Sequence, residues 1–275
     1  MSVKIICFDL DGTFLDDQKN IPPENLEALE KAHRRGVFIV PATGRIYKGI
    51  PEPLRKADFA RYFITANGAY VYDAKEDTAP VRAEISAERA VEFFTHVDGL
   101  NVLYDCYQDN WGYMSADMLS LAAETIPDPG IRRLIMGLRT PVPELKAYLR
   151  EKGMDVQKLQ LYFTDMEQRA RELRELPERF PDLRFSTSVP FNIEINAAAS
   201  TKGQAMCSLC KLLGIDPAEA MALGDGTNDL DMIQMAGTGV AMANADPAVL
   251  EAADVVTGNN NEGGFAKAVE RFAML

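Results

Sequence analysis

Short apolar runs that each stop at a small cluster of Asp, Asn, Gly or Thr recur towards both ends of this chain, and they restrict its fold severely. Val3 to Phe8 is apolar and β-prone, broken only by Lys4, and it ends at Asp9. A run without polar alternation marks a strand buried on both faces. Val37 to Val40 ends at Pro41-Ala42-Thr43-Gly44-Arg45, and Tyr62 to Ala66 ends at Asn67-Gly68. Near the other end, Ala220 to Leu223 leads into Gly224-Asp225, and Gly239 to Met242 leads into Asn244. Between the first two runs, Pro22-Pro23 opens a helix with Leu26, Leu29 and Ala32 on one face, closed by Gly36. Strand, polar cluster and helix in repetition predict an α/β fold: a parallel sheet with helices on both faces. Ligands of such sheets bind beyond the carboxyl ends of the strands, so Asp9, Thr43, Asn67 and Asp225 are expected at one rim.

The middle of the chain follows another pattern. Strand-like runs at Asn101 to Tyr107, Trp111 to Met114, Leu159 to Thr164 and Arg184 to Val189 end in no such cluster. They alternate with helical segments at Ala87 to His96, Pro143 to Lys152 and Met166 to Phe180, and Pro127-Asp128-Pro129-Gly130 reads as a turn. This predicts an inserted α+β domain over 84–190. Segments 1–83 and 191–275 then form the parallel core, with the chain returning to the first sheet at about Asn192.

Composition narrows the range of partners. A formal net charge of -12 argues against nucleic acid or an anionic membrane surface, both of which need a basic face. An anionic substrate then requires a local answer, a bound cation and a few aimed Lys or Arg side chains. No stretch approaches the roughly 20 apolar residues that span a bilayer, and the N-terminus lacks the pattern of a secretion signal. Cys7, Cys106, Cys207 and Cys210 are too few and scattered for a disulfide framework, which fits a reducing cytoplasm. Cys207 and Cys210, a single pair inside an amphipathic helix, read as small core residues. Nothing in the sequence indicates an oligomeric state.

The clusters themselves suggest chemistry. Asp9 is a candidate nucleophile: a carboxylate attacking phosphorus forms an acyl phosphate and divides a hard hydrolysis into two displacements. Asp11 lies two residues on, so extended backbone projects both side chains to one side, placing Asp11 as general acid and base. Magnesium takes about six oxygens, of which one or two carboxylates suffice from the protein. Asp9 and Asp225 are the natural side-chain ligands, with the Asp11 carbonyl as another, and Asn228 and Asp229 suited to orient the metal's waters or ligands. Thr43 and Gly44 offer a hydroxyl and amides at an expected helix start, an anion site. Lys202, opening a helix to about Leu213, is placed to neutralise Asp9 and phosphoryl oxygens. Asn67 is a substrate-side residue or a plain turn residue. Arg45 pairs either with substrate or with a core carboxylate. Glu194 either positions Lys202 or is a simple strand residue.

With these residues the chain resembles the haloacid dehalogenase-like hydrolases, specifically the Cof-type phosphatases. Asp9-Leu10-Asp11-Gly12-Thr13, Ala42-Thr43-Gly44-Arg45, Lys202-Gly203 and Gly224-Asp225-Gly226-Thr227-Asn228-Asp229 appear in the family's order. The likeness extends to Thr65-Ala66-Asn67-Gly68-Ala69, to Gly239-Val240-Ala241-Met242-Ala243-Asn244-Ala245, and to Ala253-Asp254-Val255-Val256-Thr257 and Glu262-Gly263-Gly264. Thr201 precedes the lysine where serine is common, and Phe14 follows the first motif where leucine is common. The resemblance implies a Rossmann-like core, Mg2+ dependence, an aspartyl-phosphate on Asp9 and an inserted α/β cap that sets specificity. It further implies small phosphorylated metabolites, such as sugar phosphates, as substrates. A phosphotransferase or mutase using the same site, and a sensor that binds without turnover, are the competing readings.

Overall fold

The computed structural model describes residues 2–126 and 128–273, so Pro127 of the expected turn lies outside the described residues. The chain divides into two units, Met1–Arg82 with Thr201–Leu275, and Ala83–Ser200. The first segment carries β1 (Ile5–Phe8), α1 (Pro23–Arg34), β2 (Phe38–Pro41), α2 (Glu52–Arg55), β3 (Tyr62–Thr65), β4 (Tyr70–Asp73) and β5 (Thr78–Arg82). The second unit carries α3 (Ala87–Val97), β6 (Val102–Gln108), β7 (Trp111–Ser115), α4 (Ala116–Thr125), α5 (Pro129–Leu138) and β8 (Arg139–Val142). It continues with α6 (Leu145–Lys152), β9 (Lys158–Phe163), α7 (Met166–Arg179), β10 (Leu183–Ser186) and β11 (Asn192–Ala197). The first unit resumes with α8 (Lys202–Leu213), β12 (Ala220–Gly224), α9 (Leu230–Met235), β13 (Thr238–Ala241), α10 (Pro247–Ala252), β14 (Val255–Val256) and α11 (Gly264–Phe272).

The first unit is built on a parallel sheet of order β14-β13-β12-β1-β2. Its strands read as unbroken apolar runs because both faces are covered. Ile6, Phe8, Met221 and Leu223 pack against Ala28, Leu29 and Ala32 of α1 and Phe265 and Val269 of α11. Ile5, Cys7, Ala220 and Ala222 face the other way, onto Ala205, Met206 and Leu209 of α8 and Met232 and Ile233 of α9. Phe8, Phe14 and Phe265 meet with ring centroids 5.0–5.1 Å apart, anchoring the loop that follows Asp9. Each such buried ring contributes about 1.5–3 kcal/mol relative to exposure. The loop therefore rests on a firm floor.

The run at Tyr62 to Ala66 departs from the strand-then-helix expectation. β3 turns back antiparallel into β4 and then β5, and single parallel bridges, Ile39 to Ala60 and Ala42 to Ile64, tie it to β2. Ala66, Asn67 and Gly68 all have positive φ, the left-handed run that reverses the chain. An Asn-Gly pair between β-prone runs is a hairpin signal, and here it outweighs the helix reading.

The second unit holds a six-stranded sheet of order β10-β11-β9-β6-β7-β8, antiparallel except for the β7–β8 pair. One face, with Cys106, Leu159, Leu161, Ile193 and Ile195, packs on Phe93 and Phe94 of α3, Leu145 and Leu149 of α6 and Leu176 of α7. Leu103, Met114 and Tyr162 meet Leu119, Ala122 and Ile135 of α4 and α5. Tyr104 stacks on Phe94 at 4.4 Å and Tyr113 on Tyr148 at 4.8 Å, so these aromatics pack within the unit. Asp128 caps α5, its side chain accepting from the Ile131 amide at 2.8 Å.

The chain does not return to the first sheet at Asn192. β11 lies between β9 and β10, and the second unit runs to Ser200, so the expected 190/191 boundary falls inside it. The physical reason is legible in β11 itself. Ile193 and Ile195 alternate with Asn192, Glu194 and Asn196, the period-two pattern of an antiparallel strand with one apolar face. Among the described residues, no helix is long and apolar enough to cross a membrane.

Candidate active site

The carboxyl ends of β1 and β12 bring the first and last motifs together. The Asp9 amide donates to the Leu223 carbonyl at 3.0 Å, extending the β1–β12 ladder to the point where the side chains diverge. Gly12 then turns the chain with φ +85°, and a Cβ there would lie 2.3 Å from Asp225 Oδ2. Thr13, fully buried, donates from Oγ1 to Asp225 Oδ1 at 2.7 Å. One carboxylate oxygen from each of Asp9, Asp225 and Asp229 lies within 4.8 Å of the others.

Lys202 completes this cluster. It opens α8, where the Thr201 hydroxyl accepts from the Gln204 amide as the helix cap. Its ammonium donates to Asp9 Oδ1 at 2.5 Å and to Asp229 Oδ1 at 2.7 Å, with all three side chains buried. The other Asp229 oxygen accepts from the Asp225 and Gly226 amides at 3.0 Å each. Asp229 thus braces Lys202 and the loop bearing Asp225, and it belongs with Asp9 and Asp225 to the one group of carboxylates among the described residues that could hold a cation. Within the second unit, Glu194 pairs with Lys158 at 3.0 Å and accepts from Ser188.

The electrostatics are those of too many carboxylates in a dry place. Burial pushes Asp9 up to about 8; Lys202 opposes the shift, while Asp229 and Asp225 add to it. Burial and the Asp229 charge push Asp225 up to about 6, partly offset by the Thr13 hydrogen bond. Burial alone would lower the Lys202 ammonium, but Asp229 and Asp9 outweigh it and hold it above the ordinary lysine range. A small, hard divalent cation fits this donor set, since it prefers carboxylate oxygen and relieves the repulsion among these groups. Both carboxyls are raised, so protons compete with the cation in the metal-free protein. Divalent-cation affinity is therefore expected to rise steadily from pH 5 to pH 8, with proton release on binding at pH 6.5. Calorimetric titration in buffers of different ionisation enthalpy measures both, and an affinity flat across that range would contradict the expectation.

Asp11 is not free in this arrangement. Arg45 grips it with a two-pronged contact, Nε to Oδ2 at 2.8 Å and Nη2 to Oδ1 at 2.6 Å, and Lys19 adds a contact at 2.9 Å. Burial raises the Asp11 carboxyl, but Arg45 and Lys19 together pull it below the ordinary range. Arg45 thus pairs with Asp11, itself a candidate catalytic carboxylate. Thr43 is buried, its hydroxyl accepting from the Arg45 amide at 3.2 Å and its own amide donating to Ile64. No helix starts there: the chain bends at Gly44 and forms only a short 3-10 turn over Tyr47–Gly49, which Pro51 cannot continue as a helix; α2 begins after Pro51, with Pro53 in its first turn. Asn67 and Asn228 meet at 3.3 Å, and a Cβ on Gly44 would lie 2.8 Å from Asn67 Oδ1. These three residues share one rim.

A family model for haloacid dehalogenase-like hydrolases matches residues 6–269, nearly the whole chain. The chain belongs to the haloacid dehalogenase-like hydrolases. Among its relatives in this family, the 5-amino-6-(5-phospho-D-ribitylamino)uracil phosphatase YcsE of Bacillus subtilis is 30% identical over 275 residues, covering 100% of this chain and 97% of the relative. The pyridoxal phosphate phosphatase YbhA of Escherichia coli is 29% identical, with 97% of each chain covered. The crystal structure of TM0651 from Thermotoga maritima superposes with a TM-score of 0.79 at 30% identity, over 98% of this chain and 97% of that one. This hydrolase is therefore an enzyme among named phosphatases that act on small phosphorylated metabolites.

Several residues that shape the hydrolase site escaped the motif reading. Thr13 holds Asp225, and Lys19 holds Asp11 from a left-handed position at φ 65°. A Cβ on Gly68 would lie 2.2 Å from the Thr201 carbonyl, so the hairpin tip seats directly on the start of α8. Gly68 carries a signal as the second residue of an Asn-Gly pair, and Thr13 as the last residue of the first motif. The Thr13 contact with Asp225 joins distant segments, whereas Lys19 and Asp11 share the loop between β1 and α1.

Proposed function

We propose that this hydrolase is a magnesium-dependent phosphatase of small phosphorylated metabolites, acting through an aspartyl-phosphate on Asp9. The observation that supports it most is the meeting of Asp9, Asp225 and Asp229 within 4.8 Å around a lysine 2.5 Å from Asp9. Asp9 and Asp225, with the Asp11 carbonyl, would hold Mg2+, which supplies charge neutralisation and polarises the phosphoryl oxygens when bound. An Asp9 carboxylate oxygen attacks phosphorus, and the P–O bond to the leaving alcohol breaks as Asp11 gives that oxygen its proton. Water then attacks the aspartyl-phosphate and returns a proton to Asp11, releasing inorganic phosphate and the free Asp9 carboxylate. To serve as the acid, Asp11 must leave the Arg45 and Lys19 contacts and take up a proton. Lys202 faces the charge developing on the phosphoryl oxygens. Thr43, Gly44, Asn67 and Asn228 provide its polar surroundings.

We assign the choice of leaving group to the unit over Ala83–Ser200, because every phosphate-handling residue named above lies in the other unit. The substrates for which two relatives are named, a phosphoribitylamino-uracil and pyridoxal phosphate, support phosphomonoesters of polyols, sugars or similar alcohols. Free cysteines at Cys7, Cys106, Cys207 and Cys210 accord with a cytoplasmic setting. The test is release of inorganic phosphate from a panel of sugar phosphates, pyridoxal phosphate and nucleotides, in water with Mg2+ and no other acceptor. Phosphate release supports the hydrolase reading. Transfer seen only with an added alcohol acceptor would make it a phosphotransferase, and binding without turnover would make it a sensor.

A further inference from the structure

Asn244 lies outside the charge cluster, yet its side chain ties together the loops that carry it. It follows β13, and β12 stands between β13 and β1 in the sheet. The loops that follow β13 and β1 nonetheless converge over β12, so that Asn244 Nδ2 donates to the Gly12 carbonyl at 2.8 Å. Its Oδ1 accepts from the Asn260 amide at 3.1 Å. Asn260, buried, donates from Nδ2 to the Leu15 carbonyl at 3.0 Å and to Asp17 Oδ1 at 3.2 Å. Two residues beyond Asn244, the Asp246 amide donates to the Asp225 carbonyl at 2.9 Å.

The Gly12 carbonyl is a consequential place for such a tie. Gly12 sits at φ +85°, with no room for a side chain against Asp225 Oδ2. Fixing its carbonyl fixes the plane of the Gly12–Thr13 peptide, and Thr13 Oγ1 in turn holds Asp225 at 2.7 Å. The preceding peptide carries the Asp11 carbonyl. One amide side chain is therefore bonded directly to the loop bearing Asp11 and linked through Thr13 to Asp225.

We propose that Asn244 is a positioning residue for the cation and for Asp9: it aligns the two oxygen-bearing loops without touching substrate or metal. This rests on the reading above, that Asp9 and Asp225 hold a divalent cation and Asp9 attacks phosphorus. Asn244 is exposed, and a hydrogen bond from an exposed amide contributes little to global stability. Residues that orient metal ligands from behind commonly cost 10–100-fold in metal affinity or activity when removed. A bare structural tie and a positioning residue thus differ in what they move.

The experiment compares the full-length wild type with Asn244→Ala and Asn244→Asp. It measures Mg2+ binding by calorimetry, turnover of p-nitrophenyl phosphate, and thermal melting. Asn244→Ala is expected to weaken Mg2+ binding about 10-fold and lower kcat about 10-fold, with KM within about 2-fold and melting nearly unchanged. Asn244→Asp keeps the acceptor for Asn260 but turns an oxygen towards the Gly12 carbonyl, so it is expected to be at least as impaired. Wild-type Mg2+ affinity and kcat in Asn244→Ala would overturn the proposal, whatever its melting temperature, and would leave the phosphatase reading intact. A wild type that neither binds Mg2+ nor releases phosphate would overturn that reading, and this proposal with it.

Discussion

Asp9→Asn is expected to lower phosphate release by roughly 10⁴–10⁶-fold while leaving the protein as stable as the wild type, or slightly more stable, in the absence of metal. The loss follows from chemistry: an amide oxygen does not displace an alkoxide from phosphorus. The retained stability follows from electrostatics. Asp9 is buried and its carboxyl is pushed up to about 8, so its ionised form is one the fold disfavours at neutral pH. A neutral side chain of the same shape removes that burden, and Lys202 keeps Asp229 as its partner at 2.7 Å. Added Mg2+ should raise the melting temperature of the variant less than that of the wild type, since one ligand is gone. Substantial turnover of an aryl phosphate by purified Asp9→Asn would remove Asp9 from the role of nucleophile.

Lys202→Met behaves in the opposite way. Here the expected result is loss of stability together with loss of activity. Methionine fills the same buried channel but leaves Asp9 and Asp229 facing each other without a counter-charge. Breaking a buried pair by deleting one partner costs about 3–5 kcal/mol, because the orphaned charge stays in place. For a protein of this size that lowers the melting temperature by roughly 10 °C. Turnover should fall about 10³-fold from the lost stabilisation of phosphoryl charge. Combining Lys202→Met with Asp9→Asn should recover part of the stability, because the two side chains are in contact and their effects are not additive. A Lys202→Met protein melting with the wild type would mean that this lysine does not organise the carboxylates.

How far the sequence foretold the molecule depends on the range of the interaction involved. β1 and β12 were readable because strands covered on both faces need apolar residues at every position, and Ile5–Phe8 and Ala220–Gly224 supply them. Asp9 and Asp225 were found because the ends of such strands are where polar clusters stand out. β11 was assigned to the wrong sheet, although its alternation of Ile193 and Ile195 with polar residues distinguishes it from those runs. The hairpin at Asn67-Gly68 was likewise encoded locally, in a residue pair that favours left-handed backbone. The motifs place Lys202 to neutralise Asp9, and the two meet at 2.5 Å. That Asp229 shares this lysine, that the carboxylate Arg45 grips is Asp11, and that Asn244 reaches Gly12 have no local signature and depend on which loops the folded sheet brings together.

The interrupted course of the backbone bears on how this protein is made. Ile5 pairs with Ala220, whereas the strands of the unit over Ala83–Ser200 find every sheet partner within one continuous stretch. On the ribosome that middle stretch can finish folding while the opening strand still waits for its neighbour to be translated. Pairings so distant in the chain slow folding, since a long loop must be closed before contacts repay its entropy. Until then the greasy Ile5–Phe8 segment has one unsatisfied edge, which makes the nascent chain a natural client for chaperones.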